Sequence, residues 1–111
     1  MAPTPEGAAA YCASKSAVIG LTRVIAKELG RHGVYCNAIC PGTINTPMTE
    51  RFLRATGQKE KSLEALGETA ALKRVGEPED VGRVALFLAC HLSDFVTGEH
   101  LLVTGGDIMS Q

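Results

Sequence analysis

Tyr11 and Lys15 stand four positions apart in the run Tyr11-Cys12-Ala13-Ser14-Lys15. On an α-helix that spacing sets two side chains about 40° apart in projection and one turn apart along the axis, so both can point into one site. A phenol, with a reference pKa of about 10, is a poor acid–base group at neutral pH. An ammonium held beside it stabilises the phenolate and brings the group towards the working range. The spacing therefore suits a tyrosine that exchanges a proton with a substrate oxygen. Any helix surface can carry such a pair by chance, so its surroundings must decide.

The element that would hold the pair is a helix over residues 7–31. Val18, Leu21, Ile25 and Leu29 recur at steps of three and four, Arg23, Lys27 and Arg31 lie off that stripe, and Gly30 or Gly33 ends it. Small residues fill its first half, from Ala8 to Ala17, and allow a ligand or another helix to approach the backbone. Residues 34–40 read as a buried strand bounded by Gly33 and Pro41-Gly42, with Asn37 a satisfied buried amide. The loop that opens at Pro41 is either a simple turn or a ligand site, because ligands of parallel sheets sit at the carboxyl ends of strands.

Thr46-Pro47 has the form of an N-cap followed by proline at the first helical position, opening a short helix through Met48, Glu50, Phe52 and Leu53 that stops near Gly57. The Thr46 hydroxyl can serve as that cap or contact a ligand. A polar stretch over 58–62 precedes a second short helical piece over about 63–72, interrupted by Gly67. Glu77-Pro78-Glu79-Asp80 starts a helix over 78–92, with Val81, Val84, Ala85, Leu88 and Leu92 on one face. Thr97-Gly98 makes a turn, and a last strand from His100 closes at Gly105-Gly106. Helix, strand, small helices, helix and strand in that order form a parallel α/β pattern. Two strands are too few for an independently stable sheet, so the chain reads as part of a domain.

Composition sets the outer bounds. With 111 residues, 45% hydrophobic and 21% charged, the chain has room for one small domain. Its net charge of -1 gives no basic field for nucleic acid or anionic lipid, so neither is an expected partner. The densest apolar run, residues 84–90, is far short of the roughly 20 residues of a membrane span. Residues 1–6 lack both the positive region and the apolar region of a secretory signal, so the expected location is the cytoplasm or an organelle matrix. Cys12, Cys36, Cys40 and Cys90 form no C-x-x-C pair and no ligand pattern with His32, His91 or His100. The cysteines are expected reduced and buried, the histidines solvated or at helix ends, and no metal site is expected.

Tyr11-Cys12-Ala13-Ser14-Lys15-Ser16-Ala17, then Leu21-Thr22, Ala26-Lys27-Glu28-Leu29 and the run from Val34 through Pro41-Gly42-Thr43-Ile44-Asn45-Thr46, resemble the short-chain dehydrogenase/reductase family in order and spacing. Gly76-Glu77-Pro78-Glu79-Asp80-Val81, Phe87-Leu88-Ala89, Val96-Thr97-Gly98 and Val103-Thr104-Gly105-Gly106 extend the resemblance over essentially the whole chain. It implies a doubly wound sheet that binds NAD or NADP and transfers a hydride between the nicotinamide and an alcohol or carbonyl carbon. By the same resemblance Tyr11 is the catalytic acid–base, and Lys15 assists it and binds the nicotinamide ribose. Pro41 and Gly42 begin the loop along the nicotinamide, the backbone of Ile44 meets the carboxamide, and the Thr46 hydroxyl meets the carboxamide or the pyrophosphate. Met48, Phe52 and Leu53, with Leu63 and Leu66, fall where the family builds its substrate lid. Each is equally readable as ordinary helix packing.

The family also carries a Gly-rich turn of the form G-x-x-x-G-x-G, and a serine and an asparagine further upstream of the tyrosine than the residues preceding Tyr11; no such glycine pattern occurs here. Thr104-Gly105-Gly106-Asp107 departs from the commoner Asp-Gly-Gly. The fold class implied is α/β, the C-terminal portion of a doubly wound parallel-sheet (Rossmann-like) domain without its N-terminal dinucleotide-binding βαβ half. Within a partial domain over 1–111 it comprises a catalytic helix at 7–31, a strand and nicotinamide loop at 34–46, a substrate-lid region at 47–76, a helix at 78–92 and a last strand at 100–106. Expected partners are a small alcohol or ketone and, in the complete enzyme, further copies in a dimer or tetramer, which the resemblance implies pack through the equivalent of the Tyr11 helix. Two expectations follow: an oxidoreductase whose chemistry needs more than this chain, or a truncated, inactive relative that acts through subunit association.

Overall fold

A computed structural model describes residues 8–55, 57 and 63–107; the expectations for residues 1–7 and 58–62 lie outside them. Six regular elements follow in order: α1 (Ala8–Leu29), β1 (Ala38–Pro41), α2 (Pro47–Ala55), α3 (Leu63–Gly67), α4 (Pro78–Leu88) and β2 (His100–Val103). They are divided between two compact units, Met1–Ala38 with Phe95–His100 and Ile39–Asp94 with Leu101–Gln111. Two of the three boundaries, after Ala38 and after His100, fall inside the strands. β1 and β2 pair with each other. Ala38 N–H donates to Glu99 O at 2.8 Å and Gly42 N–H to Val103 O at 3.0 Å, the constant offset of a parallel pair.

In the first unit α1 runs without proline for 22 residues and tightens into a single 3-10 turn at Gly30–His32. Gly33 ends it at φ 75°, a left-handed position that glycine takes at little cost, and its N–H donates to Gly30 O. The helix buries Thr22 and Ala26, while Val18, Leu21, Val24 and Leu29 stay exposed, so the apolar stripe that marks the helix is not its buried face. The reason is local: Thr22 Oγ1 satisfies itself on Val18 O at 2.8 Å, and the small Ala26 admits the turn at Gly98, where a Cβ would lie 3.4 Å from Ala26 Cβ.

The expected strand over 34–40 begins late, at Ala38. Before it one backbone bond, Gly98 N–H to Cys36 O at 2.7 Å, is joined by side-chain contacts. Cys36 N–H donates to Thr97 Oγ1 at 3.1 Å; the Asn37 amide donates to Val96 O at 2.9 Å and accepts from Glu99 N–H at 3.1 Å. Asn37 is thus the satisfied amide expected, half-buried rather than fully buried.

In the second unit α3 stops at Gly67, where a Cβ would meet Arg74 Cα at 2.7 Å, so only glycine lets these backbones approach. Leu53 and Ala70 are the buried hydrophobic residues described here, and Thr69 Oγ1 donates to the buried Asp107 carboxylate at 3.0 Å. α4 opens on Pro78 with a reciprocal capping box between Glu77 and Asp80. It ends at Leu88, four residues before the expected end. Cys90 adopts an extended conformation and the buried Ser93 hydroxyl donates to Leu88 O and Cys90 O, redirecting the chain into a 3-10 turn at His91–Ser93. Leu92 is consequently 70% exposed, and Ala85 is exposed as well.

The cysteines are free, but Cys12 is exposed and the other three are half-buried, so none packs as a fully buried small hydrophobe. His100 is half-buried with Nδ1 enclosed and unpaired among the described residues, unlike the solvated histidine expected. No helix among the described residues is long and apolar enough to cross a membrane.

Candidate active site

The regular backbone of α1 brings Tyr11 and Lys15 together in the first unit. Lys15 Nζ lies 5.5 Å from the centroid of the Tyr11 ring, over the ring face, a cation–π arrangement. Tyr11 is 60% exposed and Lys15 is exposed, so both polar ends are open to a ligand. The Ser14 hydroxyl between them donates to Tyr11 O at 2.7 Å and is occupied by its own helix.

The remaining residues of interest lie in the second unit. Pro41 closes β1 and is exposed. Gly42 packs so tightly on Thr104 that a Cβ would lie 3.0 Å from Thr104 Cα. Ile44 O accepts a hydrogen bond from Thr49 Oγ1 at 2.5 Å, and Thr46 Oγ1 accepts one from Thr49 N–H at 3.3 Å, making Thr46 the N-cap of α2. Thr46 Oγ1 and Thr49 Oγ1 are also 3.2 Å apart. Either hydroxyl can donate in that third contact. Met48 and Phe52 are exposed on α2, whereas Leu53 is only 8% exposed and turned into the unit's core. The three therefore do not share one surface.

A second set of contacts holds the same loop, from residues that the sequence marks only as a helix start. Asn45 N–H donates to Gly76 O at 2.8 Å and Gly76 N–H donates to Thr43 O at 2.9 Å, a parallel bridge centred on Ile44 and Gly76. Asn45 Nδ2 reaches the Glu77 carboxylate at 3.3 and 3.4 Å. Arg74 grips Asp80 with both terminal nitrogens, at 2.7 and 3.2 Å, and Glu77 N–H donates to Asp80 Oδ2 at 2.8 Å. The Arg74 hydrogen bond first, then the Glu77 N–H, hold the Asp80 carboxyl down to about 2, and the same bond raises Arg74 above its usual value. The sequence signal for this set is faint: Gly76 directly before a capping pattern, with an arginine six residues ahead of its acid. Among the described residues no cluster of three or more His, Cys, Asp or Glu could hold a metal ion.

A family model for enoyl-(acyl carrier protein) reductase matches residues 3–107. Human (3R)-3-hydroxyacyl-CoA dehydrogenase is 44% identical over 99 residues, covering 89% of this chain and 36% of the human protein. The ligand-free structure of aldohexose dehydrogenase from Thermoplasma acidophilum matches with a TM-score of 0.85 at 34% identity, covering 97% of this chain and 44% of that one. The structure of ElxO with NADP bound matches with a TM-score of 0.74 at 33% identity, covering 91% of this chain and 39% of its own. The chain therefore spans less than half the length of each of these relatives, and the two strands and four α-helices among its described residues are a portion of a doubly wound α/β fold.

Proposed function

The chain belongs to the short-chain dehydrogenase/reductase family, and on that premise we propose that it carries the acid–base pair and the nicotinamide loop of an NAD- or NADP-dependent oxidoreductase acting on a small alcohol or ketone. The observation that carries the reading is the Tyr11–Lys15 pair, open to a ligand at the spacing that proton exchange requires. In reduction the Tyr11 hydroxyl gives its proton to the substrate oxygen; in oxidation the phenolate takes it back. The Lys15 ammonium, held one turn from the phenol, assists it and donates to ribose hydroxyls. When bound, the nicotinamide supplies or accepts the hydride.

Each unit, taken by itself, carries groups that suit the nicotinamide riboside end of such a cofactor. Lys15 is an exposed multiple donor suited to a diol, and Pro41, Gly42 and Ile44 offer an apolar edge and backbone groups to a flat ring with a carboxamide. The Thr46 hydroxyl, which can donate or accept, suits the carboxamide or the pyrophosphate. Met48 and Phe52 form the exposed apolar wall for substrate, and Leu53 supports it from within. The choice between NAD and NADP would rest on groups near the adenosine ribose, for which this chain offers no candidate.

The test is a titration of the purified chain with NADH and NADPH, followed by turnover of a panel of alcohols and ketones that includes 3-hydroxyacyl thioesters and aldohexoses. Saturable binding that is lost in Lys15→Ala, with turnover lost in Tyr11→Phe, supports the assignment. Turnover that survives Tyr11→Phe removes Tyr11 from the mechanism.

One observation favours a second reading, an inactive relative that works through subunit association. Val18, Leu21, Val24 and Leu29 leave α1 with an exposed apolar surface of the kind that oligomer interfaces cover. Sedimentation of a chain that binds neither dinucleotide, yet forms a defined oligomer, would select it.

A further inference from the structure

We infer that Arg74 and Asp80 are positioning residues that brace the loop backbone at Thr43–Asn45, so that Ile44 is presented to the nicotinamide carboxamide in one conformation. The inference rests on the assignment of that loop made above, and neither residue touches a ligand. Loops of this kind are ordinarily held by their own turn geometry. Here the stretch is tied to a segment some thirty residues away by two backbone hydrogen bonds through Gly76, Asn45 N–H to Gly76 O at 2.8 Å and Gly76 N–H to Thr43 O at 2.9 Å.

Gly76 is useful as an anchor only if it is itself fixed, and Arg74 and Asp80 hold the peptides on both sides of it. Arg74 Nη1 donates to Val75 O at 3.1 Å on one side, and Asp80 Oδ2 accepts from Glu77 N–H at 2.8 Å on the other. The bidentate guanidinium–carboxylate pair closes the ring between them, at 2.7 and 3.2 Å. A planar fork matched to a carboxylate is stiffer than a point charge, and an asparagine at 80 could not accept both of its bonds. Two glycines allow the approach. A Cβ on Gly67 would strike the Arg74 backbone at 2.7 Å, and a Cβ on Gly76 would lie 2.5 Å from Ile44 Cδ1, displacing that side chain. The Asn45 amide adds a third tie to the Glu77 carboxylate.

Native-state amide hydrogen exchange on the 111-residue chain tests the brace without any cofactor. In Arg74→Ala and Asp80→Asn the amides of Asn45 and Gly76 should exchange about tenfold faster, while those of Ala38 and Gly42, bonded in the strand pair, change by less than about twofold. Arg74→Lys keeps the charge, loses the fork and should fall between, which covers the case in which the alanine variant is too unstable to measure. The positioning role is then read from ligand affinity: NADH should bind about tenfold more weakly to the variants, with ADP-ribose, which lacks the nicotinamide, unaffected. Unchanged exchange at Asn45 and Gly76, or an equal rise at all four amides, overturns the brace. Equal losses for NADH and ADP-ribose overturn its link to the nicotinamide. A wild-type chain that binds neither NADH nor NADPH removes the loop assignment itself, and the exchange result then stands or falls alone.

Discussion

In the proposed function the Tyr11 phenol exchanges its one proton, and the lysine one turn away lies over its ring face. An ammonium on a flexible four-carbon stem can move from ring to hydroxyl or to a ribose when a ligand arrives, which a residue placed by backbone alone could not do. Tyr11→Phe should therefore cost turnover by a factor on the order of 10² to 10⁴ while leaving dinucleotide affinity nearly intact. Lys15→Ala should weaken both, with a loss of about 1.5–3 kcal/mol in dinucleotide binding, the range for a hydrogen bond to a charged group. Steady-state rates and fluorescence titration in a preparation where the wild-type chain turns over measure both. Lys73 is a different kind of residue, a non-glycine at φ 56° in the turn that delivers Arg74. Its ammonium donates to Glu68 O at 2.7 Å from an exposed position. Lys73→Gly should come out about 1 kcal/mol more stable than Lys73→Ala in urea unfolding, because both lose the ammonium contact and only alanine keeps the left-handed strain.

The starts of α2 and α4 are held by different devices. α2 depends on one hydroxyl, and Thr46→Val should destabilise the chain by about 1 kcal/mol, measured by urea unfolding. α4 depends on charge. Asp80 is lowered from 3.8 to about 2 by the Arg74 hydrogen bond and then by the Glu77 N–H, with smaller Coulombic help from Arg74 and Arg83. A carboxyl depressed in the folded state stabilises the fold fully above its unfolded value and loses that contribution as pH falls. The first turn of α4 should accordingly loosen between about pH 4 and about pH 2, followed by the amide signals of Glu77 and Asp80, and Asp80→Asn should abolish that transition. Both starts are legible in sequence, as Thr46-Pro47 and Glu77-Pro78-Glu79-Asp80, because a cap is a contact between residues three apart. The end of α4 is not legible: Leu92 continues the apolar periodicity, but Ser93 folds back on Leu88 and Cys90 and turns the chain.

At the scale of the whole molecule the apolar surface left uncovered is the dominant fact. Ala26, Leu53 and Ala70 are the buried hydrophobics among the described residues, while Val18, Leu21, Val24, Leu29, Phe52 and Leu86 are exposed. A two-stranded sheet cannot shelter them. If α1 meets another copy of the chain, Leu21→Glu should shift the sedimentation profile to a smaller species at equal concentration. An unchanged profile would place the interface elsewhere. From the sequence alone came the α/β class, α1 with its tyrosine and lysine in phase, the caps and the family, since each rests on residue types repeating or pairing within a few positions. The tertiary structure decided that the pairing of β1 begins at Ala38, that Leu53 points inward while Met48 and Phe52 do not, and that Gly76 pairs with Thr43–Asn45. Those outcomes depend on which segments meet across thirty to sixty residues of chain, and no local spacing encodes such a meeting.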